Sequence, residues 1–184
     1  MSRIAMTIAA VCLVSLGFSQ NATAQNESYT AMLATSNAQA KQVPFNFTIT
    51  KWATEDEIKQ LGKVLKEQGQ DALVVELKKL DAGRFNQVGQ TGNQIAVAEK
   101  STSGSDTIIT LISARNMSVL ELQRKATHTN YPFGFLQVTV NDKGEGTGRM
   151  VTAAKIKYDE SKGHAVLDPY GNGSTPVTNV RPLK

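Results

Sequence analysis

The chain has 184 residues and a formal net charge of +4. Its 20 Lys and Arg residues are interleaved with 16 Asp and Glu residues and form no basic block, so we expect no nucleic-acid partner. Cys12 is the single cysteine, which excludes a disulfide framework within the chain and a cysteine-rich metal site.

The first 24 residues have the pattern of a secretory signal peptide. Arg3 gives a positive start, an apolar run extends from residue 4 to 18, and Ala22-Thr-Ala24 is a small-residue cleavage site. The run is shorter than the ~20 residues of a membrane-spanning helix. We therefore expect cleavage near Ala24, a mature chain without a transmembrane segment, and a periplasmic or extracellular location. Cleavage removes Arg3 and no acid, so the formal charge falls from +4 to +3.

Residues 25–42 are rich in Gln, Asn, Ser, Thr and Ala and show no periodicity, which predicts a flexible leader. We expect residues 43–184 to form a single domain. Its first strand is indicated by Phe45, Phe47 and Ile49, which alternate with polar residues.

The next segment predicts a pair of amphipathic helices. Thr54-Glu-Asp-Glu57 is a capping box, which begins a helix. Gly69 is expected to end the first helix, and a second is expected from Asp71 to just before Gly83. Each helix has an apolar stripe suited to packing on a sheet: Ile58, Leu61, Val64 and Leu65 in the first, and Leu73, Val74, Leu77 and Leu80 in the second.

From residue 84 onward the sequence has the alternation and turn chemistry of an antiparallel sheet. The candidate strands are residues 84–88, 94–99, 107–113, 131–140, 149–158, 164–167 and 177–181. Residues 114–130 suggest a short helix and an exposed loop. The predicted fold class is therefore α+β: a twisted antiparallel sheet of about seven or eight strands that can curl toward a barrel, with the helix pair inserted after the first strand.

Residues 131–158 form the clearest predicted element, a hairpin of two long strands. In the first strand Leu136 and Val138 fall on one face, whereas Phe133 and Phe135 fall on the other. The segment 144–148, Gly-Glu-Gly-Thr-Gly, has the glycine density of a phosphate loop. A strand follows it where a phosphate loop would open a helix, so it predicts a hairpin turn.

Several short motifs together resemble an uncharacterised family of small secreted bacterial proteins. The resemblance covers about residues 44–181, although relatives tend to carry Asp-Arg-Pro where this chain has Ala114-Arg-Asn116. It implies export from a bacterial cell and a single domain, and it implies no activity. The motifs are Phe47-Thr-Ile-Thr-Lys-Trp52, the acidic start of the helix, Lys66-Glu-Gln-Gly-Gln-Asp-Ala-Leu73, Tyr131-Pro-Phe133, Gly144-Glu-Gly146, Ala154-Lys-Ile-Lys-Tyr158 and Thr178-Asn-Val-Arg181.

The sequence favours a non-enzymatic binding protein without a cofactor. It has no Gly-x-Ser-x-Gly nucleophile elbow. The candidate ligand-binding residues are the aromatic side chains of the predicted sheet, Phe45, Phe47, Phe133 and Phe135, which would line a site for a small apolar ligand. A protein partner that pairs with a sheet edge is a further hypothesis.

The alternative is a metal-assisted hydrolase. His128 and His164 are the only histidines, so a zinc site would need a carboxylate as a further ligand. Asp106, Asp159 and Asp168 are the candidate acids. Nothing in their spacing places them together, and we assign no residue as a metal ligand.

Overall fold

The computed structural model describes residues 26–34, 42–88, 92–115, 130–171 and 173–183. Within these ranges, ten strands form one antiparallel sheet with one helix on its outer face. The elements are β1 Glu27–Ala34, β2 Gln42–Ile49, α1 Glu55–Leu77, β3 Gly83–Gln87, β4 Asn93–Ile95, β5 Val97–Ser103, β6 Asp106–Ser113, β7 Phe133–Val140, β8 Gly146–Asp159, β9 His164–Pro169 and β10 Thr175–Pro182.

The sheet curls nearly into a barrel. Its strand order is β4-β3-β2-β1-β10-β8-β7-β6-β5, and only Ala96 separates the two strands at the ends of this order. The Ala96 amide donates to the Ile112 carbonyl at 2.8 Å, and Ser113 Oγ donates to the Gln94 carbonyl at 2.9 Å. These bonds join β4 and the following Ala96 to β6. The predicted antiparallel sheet is confirmed, and its curl toward a barrel, which the sequence left open, is nearly complete.

Apolar side chains fill the inside of the curled sheet. Phe45 lies 4.8 Å from Phe85 between ring centroids, and Tyr29 stacks on Phe47 at 5.0 Å with an interplanar angle of 15°. Leu136 and Met150 enter the same core from β7 and β8. We call this the interior core. Aromatic pairs in this geometry add about 0.5–1.5 kcal/mol to the free energy gained by burial.

A second hydrophobic core, the helix core, lies between the outer face of the sheet and α1. Leu65, Leu73 and Leu77 of α1 contact this core, to which the sheet contributes Phe133 and Phe135. The helix begins as the sequence predicts, because Thr54 Oγ1 accepts from the Glu57 amide at 3.2 Å and Glu57 Oε2 accepts from the Thr54 amide at 2.9 Å.

The predicted helix pair is one kinked helix. Gly69 has φ 82° and ψ −172°, which interrupts the helix at the residue expected to end it. Helical structure resumes directly after this residue, with no connecting loop, so the two segments form a single element. At the kink, the Ile156 amide of β8 donates to Gln70 Oε1 at 3.3 Å, which anchors α1 to the sheet.

The predicted flexible leader is wrong for residues 27–34. These residues form β1, which pairs with β2 on one side and β10 on the other. Tyr29, Ala31 and Leu33 point into the interior core. The helix consequently follows the second strand, and the sheet has ten strands where about seven or eight were predicted.

The predicted hairpin is confirmed as β7 and β8. Asn141 Oδ1 accepts from the Lys143 amide at 2.9 Å and from the Glu145 amide at 3.0 Å, which organises the tight turn. The predicted signal peptide and the predicted short helix within residues 116–129 lie outside the described residues.

Gly83 is the glycine on which the packing of β3 against β2 depends. A Cβ atom there would lie 1.9 Å from the Thr48 carbonyl oxygen, and Gly83 has φ 143°. We expect Gly83→Ala to lower the free energy of unfolding by about 3 kcal/mol or more, because clash and backbone strain add. Urea denaturation measures this loss.

Gly104→Ala is the matched control. Gly104 also has a positive φ, 62°, but beyond its chain neighbours no atom of the described residues lies within 4 Å of the position a Cβ would take. The expected loss is about 1 kcal/mol, from backbone strain alone. Equal losses in the two variants would contradict the proposed clash with β2.

Candidate functional site

The four phenylalanines predicted to bind a ligand lie in two separate cores. Phe45 and Phe47 are both 0% exposed in the interior core, whereas Phe133 is 0% and Phe135 4% exposed in the helix core. Because the sheet lies between these cores, the structure does not bring the four rings into one site. Their assignment to a ligand stays a prediction.

His164 is the described member of the predicted histidine pair. Its Nδ1 lies 2.9 Å from the Lys162 carbonyl oxygen, so Nδ1–H donates to that oxygen, and Nε2 is buried without a hydrogen-bond partner among the described residues. His128 lies outside the described residues. Within the described ranges, no group of three or more His, Cys, Asp and Glu side chains is placed to hold a metal ion. The hydrolase alternative stays a prediction.

Glu27 is the centre of a polar network at the end of the barrel where β1 begins. Its carboxylate accepts from Tyr29 Oη at 2.9 Å, from Trp52 Nε1 at 3.2 Å and from Lys100 Nζ at 3.2 Å. Lys100 Nζ also lies 5.0 Å from the Trp52 ring centroid. The Glu27 network therefore ties β1 to β5 and to the segment before α1.

The network changes the acidity of Tyr29. Burial raises the pKa of Tyr29 well above its ordinary value of 10.0, and the hydrogen bond to Glu27 and the negative charge of Glu27 raise it further. The side chain is 7% exposed and stacks on Phe47. These contacts give the Glu27 network a structural role, as the closure of one end of the interior core.

Tyr131, Lys155 and Tyr170 form a different cluster at the opposite end of the barrel, which we call the tyrosine patch. The rings of Tyr131 and Tyr170 meet edge to face, with centroids 5.0 Å apart and an interplanar angle of 67°. Lys155 Nζ lies 4.7 Å from the Tyr131 centroid. Tyr170 is 49% exposed, which makes it one of the few large hydrophobic side chains at the surface of the described part of the chain.

Strand register explains how the tyrosine patch forms. Ala154 of β8 pairs with Phe133 of β7 on one side and with Pro169 of β9 on the other. Each member of the patch lies within two residues of one of these three positions. Sequence analysis missed the patch because its members are distant in the chain, and only the register of three strands brings them together.

No helix in the described part of the chain is long and apolar enough to cross a membrane. Comparisons of the chain with protein-family models, with curated proteins and with solved structures found no match.

The buried phenylalanines predict large losses of stability on truncation. We expect Phe45→Ala to lower the free energy of unfolding by about 3–5 kcal/mol, because it opens a cavity in the interior core. Urea denaturation of this variant beside Val75→Ala tests the difference, since Val75 is 56% exposed on α1 and its truncation should change stability by about 0.5 kcal/mol or less. A small loss for Phe45→Ala would contradict its role in the core.

The raised pKa of Tyr29 predicts its behaviour in alkali. The unfolded chain releases this proton at lower pH than the folded chain, so the stabilisation is present below about pH 10 and is lost as pH rises above it. In the folded protein at about pH 11, Tyr29→Phe should leave the tyrosinate absorbance unchanged. In the chain unfolded by urea at the same pH, the same substitution should lower the tyrosinate absorbance by the contribution of one of the four tyrosines. Loss of that contribution in the folded protein would contradict the burial of Tyr29.

Proposed function

We propose that this protein is an exported, non-enzymatic binding module that recognises a protein partner through the tyrosine patch. The observation that carries the proposal is the state of Tyr170, which is 49% exposed while its ring is held against Tyr131. Tyrosine is enriched at protein interfaces because its ring buries a large area and loses little side-chain entropy. An exposed ring already held in place by a second ring suits this role.

The side chains that fill the two cores favour a binding site on the surface over one in an internal cavity. Phe45 and Phe47 fill the interior core, and Phe133 and Phe135 fill the space beneath α1. The apolar surface of these four rings is already buried by folding, so a bound apolar molecule would have to displace the rings. We therefore propose no small apolar ligand at these rings.

The edge of β9 supports recognition by strand pairing with the partner. Among the described strands β9 pairs with β8 alone, so its other edge offers backbone N–H and C=O groups. Tyr170 directly follows the last residue of this strand, Pro169. An extended partner segment that pairs with β9 would place its side chains beside the tyrosine patch, and backbone pairing together with side-chain contacts is a common basis of peptide recognition.

Site-specific crosslinking tests this proposal. A photo-crosslinking phenylalanine analogue replaces Tyr170 in one protein and Val75 in another, where Val75 is 56% exposed on α1. In bacterial cells that export the protein, we expect a protein adduct of discrete mass from position 170 and none of that mass from position 75. Equal adducts from both positions, or none from position 170, would overturn the proposal.

A second substitution then tests the tyrosine patch. Lys155→Ala in the crosslinking protein should reduce the yield of the adduct by about threefold or more, because loss of the cation leaves Tyr131 less fixed. Lys66→Ala is the matched control, since Lys66 Nζ lies 5.1 Å from the ring centroid of Tyr158, outside the patch. Equal reductions in the two variants would argue against a specific role of the patch.

A further inference from the structure

A cleft of about 190 Å³ lies beside the start of α1, between the helix, residues 79–82 and the link from β4 to β5. Leu61, Leu80 and Val97 contribute its apolar surface. Four charged side chains also line it: Lys51, Glu57, Lys79 and Asp81. A concave apolar surface with a small number of charged groups is the usual composition of a small-molecule site.

The two acidic side chains of the cleft already accept hydrogen bonds from other groups of the protein. Glu57 accepts from Lys51 Nζ at 2.6 Å and from the Thr54 amide at 2.9 Å. Asp81 Oδ1 accepts from Arg84 Nη1 at 2.6 Å and from the Gly83 amide at 3.2 Å. The hydrogen bond from Lys51 lowers the pKa of Glu57, and the hydrogen bond from Arg84 lowers the pKa of Asp81. Both groups therefore act as anions already paired within the fold.

The two lysines keep donors that the described fold does not use. Lys51 makes an ion pair with Glu57 at 2.6 Å, and Lys79 makes one with Glu76 at 2.7 Å. A lysine ammonium carries three N–H donors. The two side chains are 58% and 60% exposed, so their ion pairs contribute little and exchange readily. Unused donors beside an apolar surface suit an anion with an apolar tail.

We infer that this cleft binds a small carboxylate with a short aliphatic chain. The chain lies on Leu61, Leu80 and Val97, and the carboxylate accepts hydrogen bonds from Lys79 and Lys51. A volume of about 190 Å³ corresponds to roughly six water molecules, which accommodates a molecule the size of pentanoate. None of the residues that line the cleft belongs to the tyrosine patch, so the inference does not depend on the proposed function.

Nuclear magnetic resonance titration of the full folded chain with pentanoate tests the inference, because it detects binding on the order of millimolar. The expected result is a saturable shift of the Leu61, Leu80 and Ala82 amide signals, with weaker or no binding of pentanol and pentylamine. The comparison with pentylamine shows whether binding requires a negative rather than a positive charge on the ligand. The comparison with pentanol shows whether binding requires a charge at all. No saturable shift at tens of millimolar pentanoate, or equal affinity for the three compounds, overturns the inference.

Charge reversal at one lysine assigns the binding to the cleft. Lys79→Glu should weaken pentanoate binding by about fivefold, the upper end expected for one exposed ion pair. Lys78→Glu is the matched control, because this neighbouring lysine is exposed and does not line the cleft, and it should change the affinity by about twofold or less. The same spectra show whether each variant is folded. Equal weakening in the two folded variants overturns the assignment.

Discussion

The junction of β4 and β5 at Ala96 is the constraint on which the rest of the structure depends. The segment before Ala96 pairs with β3 and the segment after it pairs with β6, so one stretch of chain joins the two ends of the strand order. Ala96 and Val97 both contact the helix core, whereas Ile95 and Ala98 contact the interior core. This break in the alternation lets the chain change partners without leaving the sheet, and the near closure protects edges that an open sheet would expose.

Because the sheet is nearly closed, the strands that α1 covers are buried on both faces. In β7, Leu136 and Val138 enter the interior core, whereas Phe133 and Phe135 enter the helix core. The kinked helix is needed because these two rings would otherwise meet water. Gln70 completes this arrangement, since its side chain pairs with the Ile156 amide at the point where β8 extends beyond β7.

Local signals predicted the parts of the fold that local chemistry determines. The capping box at Thr54, the turn at Asn141 and the alternation of β7 all describe contacts between near neighbours. The first strand was missed because Tyr29, Ala31 and Leu33 form a weak alternation in a segment rich in small and polar residues, and β1 gains its order from β2 and β10. Gly69 did predict an interruption. Whether it separates two helices or kinks one depends on packing against the sheet.

The same distinction explains what could be predicted of the candidate sites. Phe45 and Phe133 were recognised as aromatic residues on strands, but alternation alone cannot tell a ring that fills a core from one that lines a cavity. The tyrosine patch depends on the shared register at Ala154, and the cleft depends on how α1 lies against the β4–β5 junction. Both sites lie where strands end or change partners. We place the proposed recognition at these positions because their side chains are held by the sheet and are not buried in its cores.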